Sequence, residues 1–206
     1  MRTLAIDCAT EACSVALFEG GNLMAGECRV LGRGHAEQLV PMIAQLPERG
    51  RAGRIAVSLG PGSFTGVRIG LAAARALGLA WKAEVLGYPT LALVAAMARE
   101  SHSGPMGVCM NGGHGEWFVQ DFGPDGMPER HLLSLAPGEA ARTAPHRVIA
   151  GSRANELVAL LGPGATAVEA LPDARKFPLI PRALLTADLA PLYGRPPDAR
   201  LPEAAA

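Results

Sequence analysis

The sequence predicts an α/β fold built from two related halves, of which the second is shorter. Apolar runs and amphipathic stretches follow one another in the order β-β-β-α-β-α-β-α over the first hundred residues. After a break at residues 101–105, strand-like runs begin again. Hydrophobic residues make up 49% of the chain and charged residues 18%, a composition that indicates a globular protein and excludes a disordered or fibrous one.

The first three strands are expected to form an antiparallel meander. They are the apolar runs 3–8, 13–18 and 22–29, and Gly20-Gly21 predicts a hairpin turn between the last two. Residues 35–46 follow a helical period, which Pro41 interrupts or kinks. The first half is completed by a strand at 54–59, a helix over 63–80, a strand at 85–88 and a helix over 90–99.

The second half carries weaker patterns. Strands are predicted at 106–110, 116–122, 127–135, 147–150 and 165–169, and helices at 153–161 and 181–189. These elements divide the chain into a first lobe at 1–100, a smaller second lobe at 101–195 and a loose tail, rich in Pro and Ala, at 196–206.

Charge and hydropathy make two classes of protein improbable, those that bind nucleic acid unaided and those that span a membrane. The formal net charge is zero, and a chain without a basic stripe is not expected to grip a polyanion alone. No apolar run reaches the roughly 18 residues that span a bilayer, and no signal-peptide pattern begins the chain, so a cytoplasmic protein without membrane contact is expected. The four cysteines form no C-x-x-C pair and are interpreted as buried hydrophobic residues.

The glycine-rich stretch GPGSFTG at residues 60–66 has the form of a strand end, a turn and a helix start. It lacks the Lys of a P-loop. Its glycines are spaced one residue too widely for a dinucleotide-binding turn, and Ser63 is misplaced for a nucleophile elbow. Ser63 is instead predicted to be the N-cap of the following helix.

That helix carries small residues at three- and four-residue steps. Gly66, Gly70, Ala73, Ala74 and Gly78 form a smooth ridge, which allows another element to approach closely. Large apolar side chains flank the ridge on both sides. Such a helix is either wholly interior or half-buried with one face at an interface, and both alternatives stay open at this point.

The element order of the first half resembles one lobe of the actin, hexokinase and heat-shock-chaperone ATPase superfamily. In that superfamily an acidic residue after the first strand and the following hairpin contact phosphate, and Asp7, Thr10 and Ser14 occupy these places. The matching position of the second lobe holds Asn111, which supplies no carboxylate to a hydrated magnesium ion. The phosphate site is therefore incomplete, and no cofactor, ADP or ATP included, is expected. The favoured interpretation of Asp7 is a carboxylate satisfied by backbone N–H groups of its own turn.

The full motif GPGSFTGVRIG at residues 60–70 resembles the signature of the TsaB (YeaZ) family. The resemblance extends to residues 6–7 with 12–16, to HAEQLVP at 35–41 and to PLYGRPPDA at 191–199. It therefore covers nearly the whole chain, and its central motif is long and specific. The segment NGGHGEWF at 111–118 departs from the pattern of that family.

The resemblance implies a non-catalytic scaffold or activating subunit. Its partner is the catalytic subunit TsaD, which transfers threonylcarbamoyl to the adenosine beside the anticodon of tRNAs that read codons starting with A. TsaE in the assembled complex, tRNA held through that complex and a second copy of the chain when TsaD is missing are the other implied partners. TsaD holds a metal with an H-x-x-x-H helix; here Leu39 stands four residues after His35, so no metal site is expected.

Under this interpretation the helices 35–46 and 63–80 dock on the partner. The predicted partner-binding residues are His35, Leu39, Phe64, Gly66, Val67, Arg68, Gly70, Leu71, Ala73, Ala74 and Leu77. The alternative is an autonomous enzyme, either of the ATPase fold or a metal-dependent, glycoprotease-like peptidase.

Overall fold

The first half of the chain builds a five-stranded mixed sheet. A computed structural model describes residues 1–194 of the 206. The strands of this sheet are β1 (Arg2–Asp7), β2 (Ala12–Glu19), β3 (Asn22–Val30), β4 (Arg54–Ser58) and β5 (Glu84–Tyr88). Their spatial order is β3-β2-β1-β4-β5, with β1, β2 and β3 antiparallel and β1, β4 and β5 parallel. Gly20 and Gly21 both have positive φ at the β2–β3 turn, which confirms the predicted hairpin.

The second half repeats this topology with shorter strands. It contains β6 (Met106–Gly113), β7 (Glu116–Phe122), β8 (Leu133–Leu135), β9 (Val148–Ala150) and β10 (Thr166–Val168) in the order β10-β9-β6-β7-β8. Counted from its own first strand, each sheet therefore has the order 3-2-1-4-5. The shared order confirms the predicted α/β fold of two related lobes, the second shortened.

In the part of the chain that the structure describes, five α-helices cover the sheets, in chain order α1 (His35–Gln45), α2 (Phe64–Trp81), α3 (Thr90–Ala98), α4 (Pro137–Thr143) and α5 (Ala154–Leu161). Short 3-10 segments lie at Pro47–Gly50, Ala174–Leu179 and Arg182–Leu184. Helix α1 continues through Pro41.

The second half differs from its prediction in three places. The strand predicted at 127–135 is reduced to β8, and the helix predicted at 181–189 is one 3-10 turn. Helix α4 was not predicted, because its sequence PGEAART carries no apolar period.

The layers alternate between helix and sheet. Helices α1 and α2 pack on one face of the first sheet, and α4 and α5 pack on the outer face of the second sheet. Helix α3 lies between the two sheets, since Leu93 packs with Tyr88 of the first and Leu91 packs with Phe122 of the second. Residues 174–180 also return to the inner face of the first sheet, although they follow the second in sequence.

The predicted domain boundaries at 100/101 and 195/196 stay predictions. The tail predicted at 196–206 lies outside the described residues. Among residues 1–194, the structure contains no helix with the length and apolar character needed to cross a membrane.

The position of α3 predicts that the two lobes share one core. Both Leu91 and Leu93 are fully buried, so Leu91→Ala and Leu93→Ala should each lower the free energy of unfolding by about 2–5 kcal/mol. Trp81 on α2 and Trp117 on β7 report on the two lobes separately. In urea unfolding of single-tryptophan chains, either substitution should shift both fluorescence transitions.

The matched control is Leu160→Ala on α5, where the side chain is 53% exposed. It should change the free energy of unfolding by no more than about 0.5 kcal/mol. A shift confined to one tryptophan would show that the lobes unfold independently and contradict a shared core.

Candidate functional site

The loop that opens α2 packs directly on the turn between β1 and β2. The Ser63 N–H donates to the carbonyl of Ala9 at 2.6 Å. A Cβ at Gly62 would lie 1.9 Å from that carbonyl oxygen, and a Cβ at Gly66 would lie 2.1 Å from the carbonyl oxygen of Cys8. These glycines are therefore needed for a close approach of backbone to backbone.

Ser63 is the N-cap of α2, as predicted. Its Oγ accepts the Gly66 N–H at 3.2 Å, and its carbonyl accepts the Val67 N–H at 3.0 Å. The hydroxyl satisfies one of the free N–H groups of the first turn.

The small-residue ridge of α2 faces the protein's own sheet. A Cβ at Gly70 would lie 3.6 Å from Val57, and a Cβ at Gly78 would lie 2.4 Å from Val85. Ala74 is fully buried in the same contact, and Val67 and Leu71 belong to the core beneath it. The prediction that Gly66, Gly70 and Ala74 meet another subunit is therefore wrong, and so is the assignment of Val67 and Leu71 to a partner surface.

His35 and Leu39 are also turned inward. His35 is 7% exposed, and its Nε2 lies 2.8 Å from the Thr10 carbonyl oxygen and 3.3 Å from that of Ala12. Leu39 is 1% exposed and packs in the core with Leu17. Both predicted contacts with a partner are wrong, because these side chains fix α1 to its own sheet.

The opposite sides of α1 and α2 are exposed and mostly apolar. We call this surface the helix face; it consists of Ala36, Glu37, Val40, Pro41 and Ala44 on α1 and Thr65, Arg68, Ala72, Arg75, Ala76 and Leu79 on α2. Val40 is 61% exposed and Leu79 85%. Of the predicted partner-binding residues, Arg68 lies on this face, Phe64 is exposed at its end, and Ala73 and Leu77 are half-buried at its border.

The segment before residue 194 lies along α2. The Arg68 guanidinium carbon stands 3.5 Å from the centroid of the Phe64 ring, and Arg68 Nε donates to the Tyr193 hydroxyl at 3.2 Å. The rings of Phe64 and Tyr193 are 5.5 Å apart, and Arg75 donates to the Leu189 carbonyl at 3.1 Å. Tyr193 thus extends the helix face. It was missed as a site residue, although it lies in the quoted PLYGRPPDA segment.

Asp7 is buried at the end of β1 and bonded to its own chain. Its Oδ1 accepts the Ala9 N–H at 2.9 Å, and its Oδ2 accepts the Tyr88 hydroxyl at 3.3 Å. Burial raises the pKa of Asp7 from 3.8 to about 7, and the two hydrogen bonds lower it less than burial raises it. The interpretation of Asp7 as a carboxylate held by its turn is confirmed.

The hydroxyl groups of Thr10 and Ser14 also accept hydrogen bonds from backbone N–H groups of the same chain. Thr10 Oγ1 accepts the Ala12 N–H at 3.2 Å, and the buried Ser14 Oγ accepts the Ala174 N–H at 2.9 Å. Asp7 and Ser14 are 0% exposed, so neither reaches the space between the lobes. The assignment of Asp7 and Ser14 to a residual phosphate loop is therefore wrong, whereas Thr10 does line that space.

A cleft of about 1120 Å³ separates the lobes on the side of the opening loop. One wall is the start of α1 and α2, and the other is the β6–β7 hairpin with Asn111 and His114. The Asn111 side chain accepts the Gly113 N–H at 3.2 Å. In residues 1–194, the structure brings together no group of three or more His, Cys, Asp or Glu side chains that could hold a metal ion.

Several known proteins are similar to this chain in sequence or in structure. Residues 29–127 match the family model described as TsaD, tRNA N6-adenosine threonylcarbamoyltransferase. The tRNA threonylcarbamoyladenosine biosynthesis protein TsaB of Escherichia coli is 42% identical over 100 residues, which are 46% of this chain and 43% of the relative. The protein of that name from Haemophilus influenzae is 36% identical over 105 residues, or 48% and 44% of the two chains.

The solved structure of YeaZ from Pseudomonas aeruginosa superposes with a TM-score of 0.79 at 28% identity, over 93% of this chain and 99% of that one. The chain is thus similar to TsaB and YeaZ proteins in both sequence and fold. The resemblance drawn from the glycine-rich motif is thus confirmed. The stretches aligned with the curated TsaB relatives span less than half of those relatives' length.

The close approach at Gly66 predicts a large effect of one added methyl group on stability. Gly66→Ala places a Cβ against the Cys8 carbonyl and should lower the free energy of unfolding by about 1–3 kcal/mol. The matched control is Gly138→Ala in α4, where a Cβ would meet none of the described atoms within 4 Å. Thermal unfolding followed by circular dichroism compares the two, and equal melting temperatures would contradict the backbone contact.

The raised pKa of Asp7 predicts a specific dependence of stability on pH. Between pH 3.8 and about 7 the folded protein holds a proton that the unfolded chain releases. The contribution of Asp7 to the free energy of unfolding therefore falls as pH rises through this range, by up to about 4 kcal/mol. Asp7→Asn should remove this fall in urea titrations from pH 4 to pH 8. A difference between the two proteins that stays constant with pH would show that Asp7 ionises normally.

Proposed function

We propose that this protein is a non-catalytic accessory subunit of tRNA threonylcarbamoyladenosine synthesis, which binds the catalytic subunit TsaD through its helix face. Similarity to proteins named TsaB and YeaZ supports a role in this pathway. The observation that carries the proposal is the exposed apolar face of α1 and α2.

The composition of the helix face suits a protein interface. Four of its eleven residues can hydrogen-bond through their side chains, namely Glu37, Thr65, Arg68 and Arg75; the other seven are Ala, Val, Pro or Leu. Exposed apolar side chains concentrated on one face are typical of an interaction site, because exposing them to water is unfavourable. Exposed alanines also permit close helix packing, and the large side chains Val40 and Leu79 supply buried area.

The match to the TsaD family model supports the choice of partner. The matched residues 29–127 contain α1 and α2, so a related helix pair is expected in TsaD. Two related pairs can pack around an approximate two-fold axis, each presenting the same face to the other. A second copy of this chain offers the same surface, and we propose a homodimer that forms when TsaD is missing and competes with it.

The proposal leaves the chemistry and most tRNA contacts to the partners. Asp7, Ser14 and His35 bond to the chain's own backbone, so they serve the fold of the turn that supports the helices. With a formal net charge of zero, the isolated chain should bind tRNA weakly at physiological salt. TsaE joins the assembled complex. Because the substrate of that complex is tRNA, the reaction is expected to take place in the cytoplasm.

The helix face predicts the effect of a bulky charge on binding. Val40→Arg on α1 and Ala76→Arg on α2 should each weaken TsaD affinity at least about ten-fold, because the guanidinium is desolvated without a partner. Threonylcarbamoyl transfer to tRNA in the reconstituted system should fall in parallel. Both positions are exposed, so circular dichroism and the melting temperature should stay near those of the unchanged protein.

The matched control is Leu160→Arg, at an exposed position on α5 beyond the second sheet. It should bind TsaD and support tRNA modification normally. If Val40→Arg and Ala76→Arg also bind normally, the interface lies elsewhere. If the isolated chain modifies tRNA without TsaD, the accessory role is wrong.

A further inference from the structure

Cys8 and Cys13 lie opposite each other beneath the starts of α1 and α2, the two helices that we propose bind TsaD. Asp7 of β1 pairs with Ser14 of β2, so the next two positions face one another across the turn 9–12. The two sulfur atoms lie 3.5 Å apart, and both side chains are buried. Cys28 on β3 and Cys109 on β6 are the other two cysteines of the chain.

The placement of the pair suits a disulfide. Directly opposed residues of antiparallel strands have Cα atoms about 4.5–5.5 Å apart, within the range of about 4.4–6.8 Å that disulfides span. The sulfur atoms must approach by roughly 1.5 Å to reach the bond length of about 2.05 Å. This is a local movement of one turn, with Thr10 and Glu11 half-buried at its tip and lining the cleft.

The two thiols differ in acidity. The hydrogen bond from the Cys8 thiol, together with the positive charge of Arg29, lowers the pKa of Cys13 by more than burial and the nearby carboxylates raise it. The same hydrogen bond and burial raise the pKa of Cys8. Cys13 is therefore the better nucleophile, and Cys8 is placed to react with the product formed on it.

We propose that Cys8 and Cys13 form an oxidisable dithiol, which a hydroperoxide such as hydrogen peroxide converts to a disulfide. The Cys13 thiolate attacks a peroxide oxygen, the O–O bond breaks, and hydroxide leaves, so that Cys13 becomes a sulfenic acid. The Cys8 sulfur then attacks the Cys13 sulfur, the S–O bond breaks, and the thiol proton leaves with hydroxide as water. In total two thiols and one hydrogen peroxide give one disulfide and two waters.

Formation of the disulfide would move the turn on which the starts of α1 and α2 pack. The Cys8 carbonyl touches Gly66, and its side chain lies against Gly70, so α2 rests on this residue. The same turn accepts the Ser63 N–H and contacts the His35 ring. Moving the turn therefore displaces the starts of α1 and α2, and oxidation should weaken TsaD affinity about ten-fold. This consequence rests on the proposed function, whereas the disulfide does not.

The experiment compares the reduced and peroxide-treated protein after alkylation of free thiols. Trypsin leaves Cys8, Cys13 and Cys28 in the single peptide 3–29, and a protease specific for glutamate then cuts it at Glu11, between Cys8 and Cys13. In the unchanged chain, the two fragments should remain joined after peroxide and separate after dithiothreitol. Cys28 and Cys109 should be alkylated in both samples.

The variant Cys28→Ala/Cys109→Ala keeps the pair and should form the same link, whereas Cys13→Ala should not. If Cys8 and Cys13 stay alkylated as free thiols while peroxide oxidises Cys28, the proposal is overturned. The unchanged chain gives this answer even where a variant folds poorly.

Amide hydrogen exchange and TsaD affinity separate the two parts of the proposal. Faster exchange in residues 62–66 of the oxidised protein, with weaker TsaD binding, supports the coupling to α2. A disulfide that leaves both unchanged overturns the coupling alone. If neither form binds TsaD, the proposed function fails, and the disulfide is judged from the peptides.

Discussion

The position of α2 depends on a contact between two backbones, in which the Ser63 N–H bonds to the Ala9 carbonyl at 2.6 Å. No side chain fits between the loop and the turn at this distance, which is why glycine stands at 62 and 66. Helix α2 therefore packs close to the first sheet, and its ridge of small residues is buried between the two. The same turn also holds α1, through the ring of His35. One turn of β1–β2 therefore sets the depth and orientation of both helices, and with them the composition of the face that they present.

The first lobe could be predicted from local patterns, because its strands are long enough to show them. Strands β1 to β3 have six to nine residues, and their hairpin is marked by Gly20-Gly21. Strands β8, β9 and β10 have three residues each, which is too short for an alternation to be distinguished from chance. The return of residues 174–180 to the first sheet could not be predicted, since it is a contact between distant parts of the chain that leaves no period in the sequence.

The two helices of the candidate site lie close to their predicted bounds, whereas most of the side chains assigned to a partner surface are buried in the chain's own core. Small residues show that something approaches a helix closely, but the same spacing serves the chain's own sheet and another subunit. The charged residues of α2 indicate which of these two alternatives applies. Gly70 follows Arg68 by two residues and so lies about 200° around the helix. Because an unpaired arginine is rarely buried, the side bearing Arg68 had to be exposed, and the ridge had to be interior. The structure has this arrangement, with Gly70 buried and Arg68 exposed.

The polar groups of the first lobe explain why the proposed function is centred on a surface and not on the cleft. A site for phosphate needs donors and charges that are free and directed at the ligand. Here the oxygens of Asp7 and Ser14 already bond to backbone or buried groups of the same chain, and the Asn111 side chain closes its own hairpin. The hydrogen bonds of Asp7 and the ring of His35 brace the turn on which α1 and α2 rest. A change at Asp7 therefore reaches the helix face through the turn, whereas a change at Ala76 alters that face directly.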